Sequence, residues 1–146
     1  MTEPYYLAFD YGIRKIGVAV GQRLTHSATP LTTISVSRAS PDWAAIDHLI
    51  SEWSPKAVVV GLPMPASGAP GAMTRAARGF GGNLRDRYNV HVHYMDERLS
   101  TEAADRILNQ TGARLKQKKI LRDQVAAQLI LQSFFAQTNN DESGPD

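Results

Sequence analysis

Three acidic residues stand at positions from which a folded chain could bring them together. Asp10 ends an apolar run at residues 5–10, Glu97 follows an alternating run at residues 90–95, and Asp123 lies in the first turns of a long apolar helix near the end of the chain. Converging carboxylates repel one another unless a cation joins them, and their hard oxygen atoms select Mg²⁺ or Mn²⁺. Two such ions, roughly 3.5–4 Å apart, activate a water and stabilise the leaving oxygen in phosphodiester cleavage. This combination is typical of a metal-dependent nuclease.

Each of these acids also has a purely structural interpretation. Asp10 could accept hydrogen bonds in the turn that follows it, and Glu97 could form a surface ion pair with Arg98, which contributes little to stability. Asp123 could simply favour its own helix by lying near the positive end of the helix dipole. Spacing alone leaves these interpretations open, and it also leaves open whether Asp96 or Glu97 faces the interior.

Several basic residues lie close to the three acids in the sequence. In the functional interpretation their side chains contact phosphates and make nucleic-acid binding depend on salt. In the structural interpretation they belong to a solvated loop and the start of a helix. The candidate phosphate contacts are Arg14, Lys15, Arg98, Lys116, Lys118, Lys119 and Arg122.

Five strands are expected to carry and surround these residues. Two short apolar runs joined by a turn at Gly12 predict a β-hairpin, and a β-branched run in the middle of the chain predicts a strand buried on both faces. The expected strands cover residues 5–10, 16–21, 28–36, 57–63 and 90–95. The hairpin and the strand after it form an antiparallel meander, whereas the later strands are separated by helices and are expected to pair in parallel.

Four helices complete the predicted fold. Ser40 as the N-cap and Pro41 in the first helical position favour a helix that continues through Trp53. Further helices are predicted over residues 72–88, from Ser100 to Gly112, and over residues 117–137. The order of elements predicts an α/β fold, namely a five-stranded mixed sheet with helices on both faces.

Composition narrows the class of protein. The chain has 146 residues, of which 42% are hydrophobic and 21% charged, so we expect one domain over residues 1–138 and a polar, disordered tail over residues 139–146. Sixteen Lys and Arg residues against fourteen acids give a net charge of +2, which is too small an excess to identify a nucleic-acid partner.

The absence of cysteine excludes disulfides and thiolate zinc sites. No apolar run is long enough to span a membrane, so we expect a cytoplasmic protein with no membrane partner.

Five segments in chain order carry a resemblance to a known family. They read FDYGIRKIGVAVG, SATPLTTI, VVVGLP, MDERLST and RDQVAAQLILQSFF. Together they resemble the YqgF (RuvX) family, small bacterial proteins of the ribonuclease H-like superfamily. The resemblance implies a ribonuclease H-like fold and places Asp10, Glu97 and Asp123 on the family's acidic positions, as catalytic residues and ligands of Mg²⁺ or Mn²⁺. It also places Gly12 and Gly17 on the family's opening glycines.

The resemblance implies a nuclease that processes the 5′ end of precursor 16S ribosomal RNA in ribosome biogenesis. The alternatives are a Holliday junction resolvase that acts on branched DNA in recombination and repair, and a non-catalytic RNA-binding module. The expected partner is nucleic acid, either structured RNA or branched DNA, and the chain would act as a monomer or a homodimer. A phosphotransferase of the actin and sugar-kinase type also begins with an Asp-x-Gly loop, but it needs two such domains. The segment MPASGAPG departs from the family pattern, which leaves the role of the 64–72 loop open.

Overall fold

The computed structural model describes residues 3–65, 67–96 and 115–138, with the side chains of residues 122–137 in the last range. Six strands and three helices lie within these ranges. In chain order they are β1 (Tyr5–Asp10), β2 (Lys15–Gln22), β3 (Ser27–Ser37), β4 (Ser40–Pro41), α1 (Trp43–Trp53), β5 (Ala57–Leu62), α2 (Ala72–Tyr88), β6 (His91–Asp96) and α3 (Leu115–Thr138). None of the described helices is both long enough and apolar enough to cross a bilayer.

The strands form one mixed sheet in the order β4-β3-β2-β1-β5-β6. Strands β1 to β4 pair in antiparallel fashion, and β5 and β6 add to β1 in parallel. This arrangement confirms the predicted meander followed by parallel crossovers. The carboxyl ends of β1, β5 and β6 therefore meet at one edge of the sheet, where ligands collect in open α/β folds.

The predicted count of five strands was wrong by one. Ser40 and Pro41 pair with Ser37 and Val36 as a two-residue edge strand, β4. The tight turn between the two strands places Arg38 and Ala39 at positive φ angles of 52° and 62°. A proline is compatible with an edge strand because its missing N–H is not needed for a further strand.

The first helix therefore begins later than the sequence predicts. Ser40 and Pro41 were expected as its N-cap and first residue, but Asp42 is the N-cap and the helix begins at Trp43. The Asp42 carboxylate accepts a hydrogen bond of 3.3 Å from the Ala45 N–H. Because the Asp42 N–H donates to the Ser35 carbonyl, this cap is tied to β3.

Helices cover both faces of the sheet, as predicted. Residues of α1 and α2, such as Ile46 and Phe80, pack with Leu7 and Phe9 of β1 on one face. On the other face, α3 packs against the β1 residues that alternate with Leu7 and Phe9, and against small residues of β2. The side chains in that second core are Tyr6, Ala8, Ala19, Ala28, Ala57, Val59, Met95, Ala127, Ile130, Leu131, Phe134 and Phe135.

Candidate active site

Asp10 lies on the α3 face of the sheet. Tyr6 and Ala8 belong to the core beneath α3, and side chains alternate along a strand, so Asp10 projects to that same face at the carboxyl end of β1. Its partners in the neighbouring strands are two glycines, Gly17 in β2 and Gly61 in β5. Both glycines are buried, and neither has a side chain that would separate the half-buried Asp10 from the groups packed above them.

Gly17 is also the point at which α3 rests on the sheet. A Cβ atom built on Gly17 would lie 2.7 Å from the Cβ of Asp123 and would overlap the Asp123 backbone. The helix is held there by Gln124, whose Nε2 donates a hydrogen bond of 2.9 Å to Oγ1 of Thr33. Because Thr33 pairs with Gly17 and Gly17 pairs with Asp10, the two predicted acids on β1 and α3 become neighbours across one small residue.

A lysine already lies beside one of these carboxylates. Nζ of Lys15 is 3.5 Å from Oδ2 of Asp123, and the two side chains are 49% and 27% exposed. The pair borders an open cleft of about 520 Å³ that is also lined by the hairpin turn and by one residue of α2. The lining residues are Gly12, Ile13, Arg14, Lys15, Met73 and Asp123.

The hairpin turn is held close to β3. The Val36 N–H donates a hydrogen bond of 2.8 Å to the Arg14 carbonyl, and the Arg14 side chain remains exposed. A Cβ atom on Gly12 would lie 2.6 Å from the Lys15 carbonyl oxygen. Glycine is therefore required at position 12 because the turn folds back tightly on itself.

Met73 and Thr74 form part of the site that sequence reasoning missed. Thr74 is 1% exposed, its Oγ1 accepts from the Gly71 N–H at 3.3 Å, and its hydroxyl donates to the Pro63 carbonyl. These bonds fix the start of α2 against the end of β5, which places Met73 in the cleft. Nothing in the local sequence distinguishes this threonine from other residues of a first helical turn.

Asp96 falls on the opposite face from Asp10. Met95 packs in the core under α3, whereas Tyr94 packs against α2, and Asp96 pairs with the buried Leu62 on the α2 side. Alternation along β6 thus separates Asp96 from the face that carries Asp10 and Asp123.

The structure places some of the predicted site residues and not others. Asp10 and Asp123 are brought together, Lys15 and Arg14 border the same cleft, and Arg122 is exposed on α3. Glu97 and Arg98 lie outside the described residues, as do the helix expected from Ser100 to Gly112, the tail over 139–146 and the side chains of Lys116, Lys118 and Lys119. Within the described ranges no three acids or histidines cluster as a metal site.

Comparison with known proteins covers almost the whole chain. The family described as RuvX: Holliday junction resolvase matches residues 4–137. A "Putative pre-16S rRNA nuclease" of Dechloromonas aromatica is 49% identical over 129 residues, covering 88% of each chain. A protein of the same name from Nitrosococcus oceani is 46% identical over 132 residues, covering 90% of this chain and 86% of the relative.

A solved structure shares the fold. Thermus thermophilus RuvC, in complex with a Holliday junction substrate, superposes with a TM-score of 0.57 at 18% identity and covers 94% of this chain and 96% of its own. That similarity supports the ribonuclease H-like architecture that the mixed sheet and its flanking helices display.

Proposed function

The chain belongs to the RuvX family and is a nuclease, and we propose that Asp10, Glu97 and Asp123 hold the Mg²⁺ or Mn²⁺ with which it hydrolyses phosphodiester bonds. The observation that carries this proposal is the contact of the Asp123 backbone with Gly17, the direct partner of Asp10. It brings two acids that are more than a hundred residues apart in sequence to one edge of the sheet.

The donor set suits a hard divalent cation. Asp10 and Asp123 supply carboxylate oxygens, and a positive charge already lies at this position, because the Lys15 ammonium is 3.5 Å from Asp123. The described residues bring no histidine of β6 to the cleft, and the chain has no cysteine, so the site has none of the softer ligands that favour zinc. When bound, such ions polarise the phosphate and lower the pKa of the attacking water.

We assign the third acidic position to Glu97 rather than to Asp96. Asp96 falls on the α2 face, and a strand that continued its alternation by one residue would present position 97 on the face of Asp10. Met95, on that same face, pairs with Gly61, and Gly61 pairs with Asp10. Glu97 is therefore the acid that we assign to the side of the sheet that carries Asp10.

Basic side chains at the cleft would bind the substrate. Arg14 and Lys15 project from the hairpin turn next to Asp123, and Arg122 precedes that acid on α3. We propose that they contact phosphates of the bound strand, together with Arg98, Lys116, Lys118 and Lys119. Each phosphate contact of this kind makes binding more sensitive to salt.

The substrate we propose is the 5′ region of precursor 16S ribosomal RNA, processed in the cytoplasm. The relatives at 46% and 49% identity over most of the chain are named for a nuclease of pre-16S rRNA, which supports the RNA part of this proposal. A four-way DNA junction is the second candidate, because the family that matches residues 4–137 is described by that activity.

The proposal is tested by cleavage of both substrates in the presence of Mg²⁺ or Mn²⁺. Asp10→Asn and Asp123→Asn keep the shape of each side chain but remove its charge. Loss of a group that merely orients a metal ligand typically costs about 10- to 100-fold, so loss of a ligand should lower the cleavage rate by at least about 100-fold. Glu52→Gln, an exposed acid on α1, is the matched control and should cut at the parental rate.

Two results would refute this function. One is a purified protein that cuts neither RNA nor DNA with either metal. The other is cleavage by Asp10→Asn at the parental rate, which would mean that the β1 carboxylate has no part in the reaction. Binding of RNA without cleavage, unchanged by loss of the acids, would instead favour a non-catalytic RNA-binding module.

A further inference from the structure

The outer face of α2 carries two arginines without a close acidic partner among the described residues. Arg75 and Arg78 are exposed, on the side opposite the buried Ala77, Phe80 and Leu84. Farther along the same face, Nε of Arg85 is 3.2 Å from the carboxylate of Asp86, and that pair neutralises itself. The excess positive charge of this face therefore lies in its first two turns.

That charged part of α2 begins in the helical turn that borders the cleft. Met73, two residues before Arg75, lines the cleft together with Lys15 and Asp123. Nη1 of Arg75 lies 3.5 Å from the Pro70 carbonyl, beside the loop that leads into the helix. Because residues two positions apart point to different sides of a helix, the path from the cleft to Arg75 runs around the start of α2.

Arg78 is held toward the carboxyl end of β6. Its guanidinium lies 5.1 Å from the centre of the Tyr94 ring, and the Tyr94 hydroxyl donates to the Arg78 carbonyl at 3.3 Å. A guanidinium that lies over an aromatic ring keeps the N–H groups at its own edges available. It can therefore still bind a phosphate through two hydrogen bonds. This contact orients Arg78 without neutralising it.

Two glycines beside these arginines leave open space next to the backbone of α2. Among the described residues, no atom lies within 4 Å of a Cβ built on Gly79, and only the flexible tip of Arg85 comes within that range of Gly82. Each exposed glycine in a helix interior costs up to about 1 kcal/mol relative to alanine. By contrast, Gly81 is required by packing, because a Cβ there would lie 2.5 Å from the Tyr94 hydroxyl.

We propose that Arg75 and Arg78 form a second phosphate-binding surface, over which the sugar–phosphate backbone of the substrate passes as it leaves the cleft beside Met73. This inference rests on the proposed nuclease function and adds the path of the substrate to it. The missing side chains at Gly79 and Gly82 allow the strand to approach the helix. A second copy of this chain is a less suitable partner for this surface, because pairing the same α2 face of two copies would bring their arginines together.

The test is a binding measurement that needs no cleavage. Fluorescence anisotropy of a labelled RNA hairpin with a single-stranded 5′ extension, in EDTA and over a series of salt concentrations, gives the Kd and its salt dependence. Arg75→Ala combined with Arg78→Ala should raise the Kd at least tenfold and reduce the slope of log Kd against log salt by about 2, one for each phosphate that the variant no longer binds. The control is Lys56→Ala, an exposed charge at the start of β5, which should change neither quantity.

A second variant separates binding from folding. Gly79→Ala combined with Gly82→Ala should raise the thermal stability, because alanine is the better helix former, and yet weaken RNA binding. An unchanged Kd in the double arginine variant, or a raised Kd with an unchanged salt slope, would overturn the proposal. So would a glycine variant that binds as the parent does, or one whose only effect is a change in oligomeric state on sedimentation.

Failure of the proposed α2 surface can be distinguished from failure of the proposed metal site. If Asp10→Asn still cuts RNA while the double arginine variant binds it poorly, the α2 surface stands and the metal site does not. If Asp10→Asn abolishes cleavage while the double arginine variant binds like the parent, the α2 surface is refuted and the metal site stands.

Discussion

At the scale of single residues, the Lys15–Asp123 ion pair bears directly on the proposed metal site. The ammonium is 3.5 Å from the carboxylate, and both side chains are partly exposed. A divalent ion held by Asp123 would repel the lysine and displace it toward the cleft. Lys15 would then be available to contact a phosphate of the substrate.

Lys15→Met is expected to bind Mn²⁺ more tightly than the parent while cutting RNA more slowly. An exposed ion pair is worth up to about 1 kcal/mol, so relief of the competition should lower the Kd for Mn²⁺ by up to about fivefold. Isothermal titration with Mn²⁺ and no nucleic acid measures the first effect, and a cleavage assay measures the second. Lys56→Met is the control, and a weaker Mn²⁺ affinity in Lys15→Met would contradict this account of the pair.

A second ion pair, remote from the cleft, joins the middle of α1 to the end of α2. The Arg87 guanidinium donates to both carboxylate oxygens of Asp47, at 2.9 and 3.1 Å, and the Tyr88 hydroxyl also donates to Asp47. These hydrogen bonds lower the pKa of Asp47 from 3.8 to about 2. Arg87 also lies over the Trp43 ring, so the pair is part of the packing between the helices.

Asp47→Asn should destabilise the protein in a pH-dependent way. An acid whose pKa is lowered on folding stabilises the folded state above its unfolded pKa near 4, and that contribution is lost as the pH falls toward 2. The Tm difference between parent and variant should therefore be largest at neutral pH and shrink between pH 4 and pH 2. A difference that stays constant over that interval would show that the carboxylate charge is not what stabilises the contact.

At the scale of elements, the site depends on how closely α3 can approach β2. Gly17 and Gly21 lie under the helix, where their Cβ atoms would meet Asp123 and Leu131, and Ala19 between them is fully buried. Because these three residues have small side chains or none, α3 can pack closer to β2. Gln128 adds a hydrogen bond of 2.9 Å to the Ala28 carbonyl, so the helix is anchored on β3 as well.

Gly17→Ala should damage the site and the fold together. The added methyl overlaps the Asp123 backbone, so α3 must move away from the sheet; overpacking of this kind costs about 1–3 kcal/mol. Urea denaturation is expected to show that loss, and metal-dependent cleavage should fall because Asp123 moves away from Asp10. Gly79→Ala, in an open position on α2, is the control for stability alone and should stabilise the protein. Parental stability and activity in Gly17→Ala would refute the close contact.

At the scale of the whole molecule, local patterns predicted most of the fold. The bounds of β1 and α2 agree with the prediction, and α3 differs by two residues at its start and one at its end, because alternation and helical periodicity are properties of contiguous residues. The two-residue strand β4 was missed because it exists only through pairing with Val36 and Ser37. For the same reason the start of α1 was placed at Ser40 rather than at the Asp42 cap.

The candidate site was predictable only in part. The position of Asp10 after an apolar strand is visible in the sequence, and so is its proximity to Arg14 and Lys15. The contact of Asp123 with Gly17 joins residues far apart in the chain, and no local pattern encodes it. Likewise, only the strand register shows that Asp96 pairs with Leu62 on the α2 side.

We propose that Asp10 and Asp123 share a divalent cation beside Gly17. The most direct measurement is anomalous X-ray scattering from crystals of the protein soaked in Mn²⁺. We expect a manganese peak in contact with carboxylate oxygens of both residues, with the Lys15 ammonium moved away from Asp123. A peak bound by other side chains alone, or no peak at this edge of the sheet at saturating Mn²⁺, would contradict the account.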